Sequence, residues 1–302
     1  MKFIKYSIAL ITCLALSVPV VAQRSTRSQG EVPPPKTKKA AQEQTVPHRS
    51  KKRRPQNTGV VAGQIRPRVF LNPGHGGHDS DDRPCPFYNE GMQARVEYYE
   101  SDSNLKGAMA MKDILRSRGY EVFMSRVNNT TDDDLNLFEI HQLALNSGAD
   151  VFFAIHSNSS GSATRRVNFP FAIYRGYDGG GTAEGSEELA GIVASNLADC
   201  EATSWSRGGL THGDWSFYRN RSGLGVFRWN KLPGILVENC FHDYQIERER
   251  LLNKDYCGLL ATINSRSLDK FFNRPAQQFG MVAGIVRYDY PRKGIFNISH
   301  ST

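Results

Sequence analysis

Long apolar runs are almost missing from this 302-residue chain. Residues 8–21 come nearest, broken only by Thr12, Ser17 and Pro19. No later segment reaches the ~18 apolar residues that a membrane-spanning helix needs. Cysteine is also scarce, with 5 in the chain, and tryptophan scarcer, with 3. A basic body is missing as well, despite a formal net charge of +8. Residues 1–60 carry twelve Lys and Arg against two Glu, which leaves 26 basic against 28 acidic side chains for the rest. The body is therefore slightly acidic, and nucleic acid is a poor partner for it.

The first residues have the layout of a secretory signal. Lys2 and Lys5 precede the apolar stretch, and Val20-Val21-Ala22 places a small residue just before Gln23. We expect cleavage there, so residues 1–22 are a signal peptide and the mature protein is exported to the periplasm or cell envelope. An uncleaved anchor is the alternative. Export means an oxidising compartment. Cys85, Cys200, Cys240 and Cys257 remain after cleavage. They allow three full pairings, or all four stay free and buried.

Residues 23–65 are polar and rich in Pro, Lys, Arg, Gln and Ser, including Lys51-Lys52-Arg53-Arg54-Pro55. Such a segment cannot bury enough apolar surface to offset its ordering entropy and reads as a disordered linker. Its basic run can touch anionic envelope surfaces weakly, and an inert solvated spacer is an equally good reading.

From residue 66 the signals alternate. Apolar runs at Arg68–Asn72, Tyr120–Met124, Val151–Ile155 and Pro233–Val237 read as strands, with a further one at Phe169–Tyr174. Helical spacing appears over residues 103–118, after Asp134 as a cap, over residues 186–198 and over residues 244–272. Alternation of this kind predicts an α/β domain with helices on both faces of a sheet. Residues 280–288 read as a strand beyond that body. Residues 274–302 are an extension, strand-like or disordered.

Three of the strand candidates run straight into a metal-competent residue. The first leads into Asn72-Pro73-Gly74-His75-Gly76-Gly77, the second into His156-Ser157-Asn158, the third into Glu238-Asn239. If these strands are parallel neighbours, His75, His156 and Glu238 meet at one rim. Two His and a carboxylate with one open position make a hydrolytic zinc site. A further carboxylate is then needed to move the water's proton. Spacing alone does not say which carboxylate binds the metal. His141 sits on an apolar helix face and reads as structural. His78 reads as an exposed loop histidine, and His242 lies close enough to Glu238 to line the site.

Five segments resemble the zinc-dependent N-acetylmuramoyl-L-alanine amidases of the type 3 family. They are residues 69–77; Glu100-Ser101-Asp102-Ser103-Asn104-Leu105; residues 118–122 with Ser125-Arg126; residues 146–150 followed by residues 154–158; and Pro233 to Phe241. They follow the family order over residues 66–273. The resemblance implies one catalytic domain there, with a mixed, mostly parallel sheet sandwiched between helix layers. It implies that His75, Glu100 and His156 bind one Zn2+ ion and that Glu238 is the catalytic carboxylate. It also implies peptidoglycan as substrate, cut between N-acetylmuramic acid and L-alanine, with an activator protein as an admissible partner. Three departures stand out. Asn72 replaces the usual Asp, His78 replaces a commonly basic residue, and the stretch from His75 to Glu100 is long. Glu90 and Glu97 rival Glu100 within that stretch, but only Glu100 is followed by Asp-x-Asn-Leu. The alternatives are a non-catalytic wall-binding or amidase-regulating module, and a zinc peptidase acting inside the stem peptide. Residues 205–229, rich in aromatics, Arg and Gly, form either a groove wall or an ordinary surface loop.

Overall fold

The computed structural model describes residues 66–89, 92–162, 167–203 and 210–280. The signal and linker segments, Glu90, and all but the first residue of the strand expected at 280–288 lie outside these residues. The chain runs β1 (Arg68–Pro73), a short hairpin of β2 (Phe87–Asn89) and β3 (Ala94–Val96), then α1 (Glu100–Ser117) and β4 (Glu121–Met124). It continues with α2 (Leu137–Ser147), β5 (Val151–Asn158), β6 (Phe171–Tyr174), and the small pair β7 (Gly176–Tyr177) and β8 (Gly180–Gly181). The last elements are α3 (Ser186–Asp199), β9 (Leu210–Gly213), the single turn α4 (Asp214–Phe217), β10 (Gly234–Phe241), α5 (Gln245–Leu251) and α6 (Lys254–Phe271).

The main sheet has the order β4-β1-β5-β10-β6-β9. Every neighbouring pair is parallel except β10 with β6. The expected mixed, mostly parallel sheet between helices is therefore what forms. The apolar runs of β1, β5 and β10 are continuous because both faces are covered. Side chains alternate across those faces. Val69, Leu71, Val151, Phe153, Ile235 and Val237 point into one core with residues of α1, α3 and α6. Phe70, Phe152, Ala154 and Leu236 point into a second, smaller core closed by Ala144 of α2 and by Phe227. Phe70 stacks on Phe152 at 5.8 Å between ring centroids in that second core.

Some boundaries differ from expectation. The first helix begins at Glu100, three residues before Ser103, with Tyr99 as its N-cap. The reason is tertiary: the Glu100 N–H donates to Asp82 O at 3.1 Å, which the local sequence does not announce. The second helix is capped by Asn136, not Asp134. Asn136 Oδ1 accepts from Phe138 N and Glu139 N, both at 3.0 Å, and Glu139 accepts from Asn136 N at 3.1 Å. This is a reciprocal capping box. Gly148 then ends the helix in the left-handed region at φ 61°. The strands β5 and β10 extend through His156 and Glu238 rather than stopping before them, because those two residues pair with each other across the sheet. All four described cysteines are free. Among the described residues no helix is long and apolar enough to cross a membrane.

Candidate metal centre and its surroundings

Because β1, β5 and β10 are parallel neighbours, their C-terminal ends share one rim. His75 follows β1 in the left-handed region at φ 62°, an uncommon conformation for a residue with a Cβ. Such strain costs of order 1–3 kcal/mol and persists only where the surroundings fix it. Gly74, just before, must lack a side chain, because a Cβ there would lie inside the His156 ring. The two imidazoles consequently sit edge to face, 5.2 Å between centroids.

Glu100 lies between them. Its Oε2 is 3.2 Å from His75 Nε2, and its Oε1 is 3.0 Å from His156 Nδ1. Ser157 N donates to Oε1 at 3.0 Å and Asn104 Nδ2 at 3.1 Å. The carboxylate is also the first residue of α1, where the helix dipole favours negative charge. Burial alone would push its carboxyl up, but the His75 and His156 imidazoles outweigh this and hold it well below the usual range. For His156 burial wins and the imidazole is driven toward its neutral form. For His75 burial pulls down, and the Glu100 charge more than reverses it.

Donor atoms of His75, Glu100 and His156 all lie within 4.8 Å of one another. Two imidazole nitrogens and a carboxylate oxygen this close together fit a tetrahedral cation with a fourth position open. The rival Glu97 is instead half-exposed and paired with Arg95 at 2.9 Å. Glu238 stands apart from this trio, directly across the sheet from His156, about 5 Å away by strand spacing. Its Oε2 is buried and has no hydrogen-bond partner. Burial first, then the Glu100 charge, pushes its carboxyl well up, and Arg83 opposes them. A carboxyl in that state is suited to taking and giving a proton. Just past Glu238 the β5–β10 register breaks. Asn239 Nδ2 bonds to His156 O there, at 3.3 Å.

Two supporting residues were not assigned a role from the sequence. Arg126 is buried behind the His75 turn. Its guanidinium donates to Pro73 O at 3.1 Å, Gly74 O at 3.1 Å and Ser101 O at 2.9 Å, joining the turn to the start of α1. Burial lowers its pKa to about 10, despite Asp82 and other nearby acids. His242 is buried beneath the site, with Nδ1 2.8 Å from Ser157 O and 3.8 Å from Glu100 Oε2. Arg126 ends one of the five family-like segments, but nothing there gives it a role. His242 was marked only by its closeness to Glu238 in sequence.

The other candidates fall elsewhere. His141 is a buried residue of α2 itself. His78 is half-exposed, 2.9 Å from Asp102 and stacked on Tyr99 at 4.5 Å. His212 lies in β9 and pairs with Asp178 at 3.1 Å. Asn72 is buried and accepts from Ser125 Oγ at 2.8 Å, so this position bonds a neighbouring strand end rather than the trio.

A parallel-rich α/β sheet with a His–Glu–His cluster at its strand ends thus defines the class. Residues 69–269 match the family model described as N-acetylmuramoyl-L-alanine amidase, and the chain belongs to that family. It is 28% identical over 207 residues to a sporulation-specific N-acetylmuramoyl-L-alanine amidase of Bacillus subtilis, spanning 68% of each chain. It is 25% identical over 209 residues to the N-acetylmuramoyl-L-alanine amidase CwlM of Bacillus licheniformis, spanning 68% of this chain and 69% of that one. Among solved structures it resembles an N-acetylmuramoyl-L-alanine amidase of Clostridium difficile 630, with a TM-score of 0.52 and 26% identity over 69% of this chain and 97% of the other. The catalytic domain of the amidase CwlV from Bacillus (Paenibacillus) polymyxa shares the fold at a TM-score of 0.52 and 23% identity, over 69% and 99% of the two chains.

Proposed function

We propose that this protein hydrolyses the amide bond between N-acetylmuramic acid and L-alanine of peptidoglycan, using a water activated at a single zinc site, in wall remodelling or daughter-cell separation. The observation that carries the reading is the convergence of His75, Glu100 and His156, with the unpartnered Glu238 oxygen beside them. A zinc ion at the trio supplies Lewis acidity, which lowers the pKa of a water and polarises the amide carbonyl.

The protein's own groups do the rest. His156 is kept neutral by burial and so presents a lone pair. Glu100 supplies the negative charge and is locked by Ser157 N and Asn104. Arg126 fixes the His75 turn against α1. Glu238 takes a proton from the attacking water as its oxygen bonds to the carbonyl carbon. It then passes that proton to the alanine nitrogen as the C–N bond breaks. The products are a lactyl carboxylate on the sugar and a stem peptide with a free amine. The expected signal peptide delivers the chain to the envelope, where the substrate is, and the basic linker adds at most a weak contact with anionic surfaces. A regulating module without catalysis has no use for an unpartnered buried carboxylate beside three ligands.

The test is Glu238→Gln. The variant should bind zinc one-to-one and release no peptide from purified sacculi. Wild-type turnover by the variant would remove Glu238 from its role.

A further inference from the structure

A second cleft lies at the end of β6 away from the catalytic rim, built by the turn around β7 and the segment that begins with α4. Asp214 starts α4, is fully buried and ties the two together. Its Oδ1 accepts from Gly176 N at 2.9 Å, and its Oδ2 accepts from Leu224 N at 3.0 Å and faces Arg175 Nη1 at 3.3 Å. On this base rests a stack of guanidinia and rings. Arg175 lies 5.2 Å and Arg221 5.8 Å from the centre of the Trp215 ring. Arg221 also lies over Tyr177 at 5.7 Å and donates from Nε to its hydroxyl at 3.0 Å. Tyr177, Trp215, Ser216, Arg219, Asn220 and Arg221 line a cleft of about 580 Å³.

The cleft is cationic on a body that is not. Arg219 and Arg221 are exposed, and Tyr177 is 44% exposed. The nearby carboxylates are already engaged: Asp214 as above, Asp178 by Gly213 N at 2.7 Å and His212 at 3.1 Å, and Glu187 by Gly179 N at 3.1 Å. Guanidinium forks match carboxylates in a paired geometry, and packing on aromatic faces holds them ready. α4 links the cleft to the site. β6 runs antiparallel to β10, from Phe171 opposite Glu238 to Tyr174 opposite Ile235, so the turn at Arg175–Tyr177 lies more than about 10 Å along the sheet from Glu238. Phe217, the last residue of α4, returns toward the rim and packs on Phe171 at 4.9 Å between ring centroids. Tyr218, the residue after it, is close enough to Glu238 for that carboxylate to add to the effect of burial on its hydroxyl.

We propose that this cleft is a second subsite for the polymeric substrate, in which Arg219 and Arg221 pair with free carboxylates of stem peptides that are not being cut. The proposal rests on the amidase reading and adds where the polymer is held. A single muropeptide is too short to fill both places, whereas a glycan strand with repeated stems spans them. The cleft then acts on capture of the wall, not on the chemistry at Glu238.

The experiment uses the full chain and sacculi stripped of phosphodiester polymers with hydrofluoric acid. In the Glu238→Gln background, replacing Arg219 and Arg221 by Gln should weaken sacculus binding tenfold or more. Binding by the parent should also fall with salt, since exposed charge pairs are screened. In the active protein the double variant should lose at least tenfold more kcat/KM on sacculi than on a soluble single-stem muropeptide. Arg221→Lys should recover only part of the loss, because an ammonium lacks the fork. Unchanged sacculus binding by the double variant overturns the proposal. So does an equal loss on both substrates, and so does parental binding that vanishes once the phosphodiester polymers are removed. Failure of the amidase reading looks different: the unaltered protein would leave the soluble muropeptide uncut, while the binding comparison would still give its answer.

Discussion

Arg126→Met removes a guanidinium that holds the metal site from behind while roughly keeping its volume. The structure sets the magnitude. Gly74 O keeps a second donor in Asn104 Nδ2 at 3.3 Å, and Ser101 O faces the hydrogen-bond ladder of α1. Pro73 O loses its side-chain donor outright, whereas Asn128, whose O Arg126 Nη1 also reaches at 3.0 Å, is exposed and can turn to water. A buried group left unpaired costs about 1–3 kcal/mol, so the variant should be destabilised by about that much. For a body of this size each kcal/mol shifts Tm by about 2–4 °C, which places the drop at roughly 2–12 °C. The His75 turn should also loosen from Glu100, and loss of such support typically costs 10–100-fold in metal affinity. Thermal unfolding with excess zinc and with chelator, plus a competitive zinc titration, reads both effects. A variant within 2 °C of wild type and with unchanged zinc affinity would refute the reasoning.

Two further outcomes follow from Glu238. In the metal-free protein its carboxyl is pushed up by burial and by Glu100, so the fold favours its protonated form. The sign is then fixed: the ionised carboxylate is a penalty on folding at neutral pH, absent below the unfolded pKa of about 4.3 and growing as pH rises from there. Glu238→Gln should raise Tm in chelator at pH 8 and leave it unchanged near pH 4; a gain of equal size at both values contradicts this. Arg83 is the cation that opposes the rise, so Arg83→Gln should move the acid limb of the kcat/KM–pH profile to higher pH, and a limb that stays or moves down contradicts the assignment.

The legible part of this protein was the part written as period and punctuation. Val151–Ile155 and Pro233–Val237 are continuous apolar runs followed by His156 and Glu238, so a shared rim needed only that the strands be parallel neighbours, which they are. Glu100 was different. No strand leads into it, and Glu90 and Glu97 compete nearby, so spacing left the third ligand open and only the family resemblance pointed to it. The structure explains why, since the start of α1 is set by Asp82 O some way back in the chain. The missed helix cap was readable: Asn136 followed by Glu139 is a capping-box pattern, and Asp134 drew attention only as the earlier acidic residue. Arg126, His242 and the Trp215 cleft depend on contacts between distant segments and leave no periodic trace. The aromatic and arginine content of residues 205–229 marked the last of these without choosing between a groove wall and a surface loop.

The central claim is a bond and a metal together, and mass spectrometry of the products from purified sacculi tests both. With zinc, the account predicts stem peptides released with L-alanine at a free amino terminus, glycan carrying free lactyl carboxylates, and neither product in chelator. Alanine left attached to the sugar, or the same products in the presence of chelator, would contradict it.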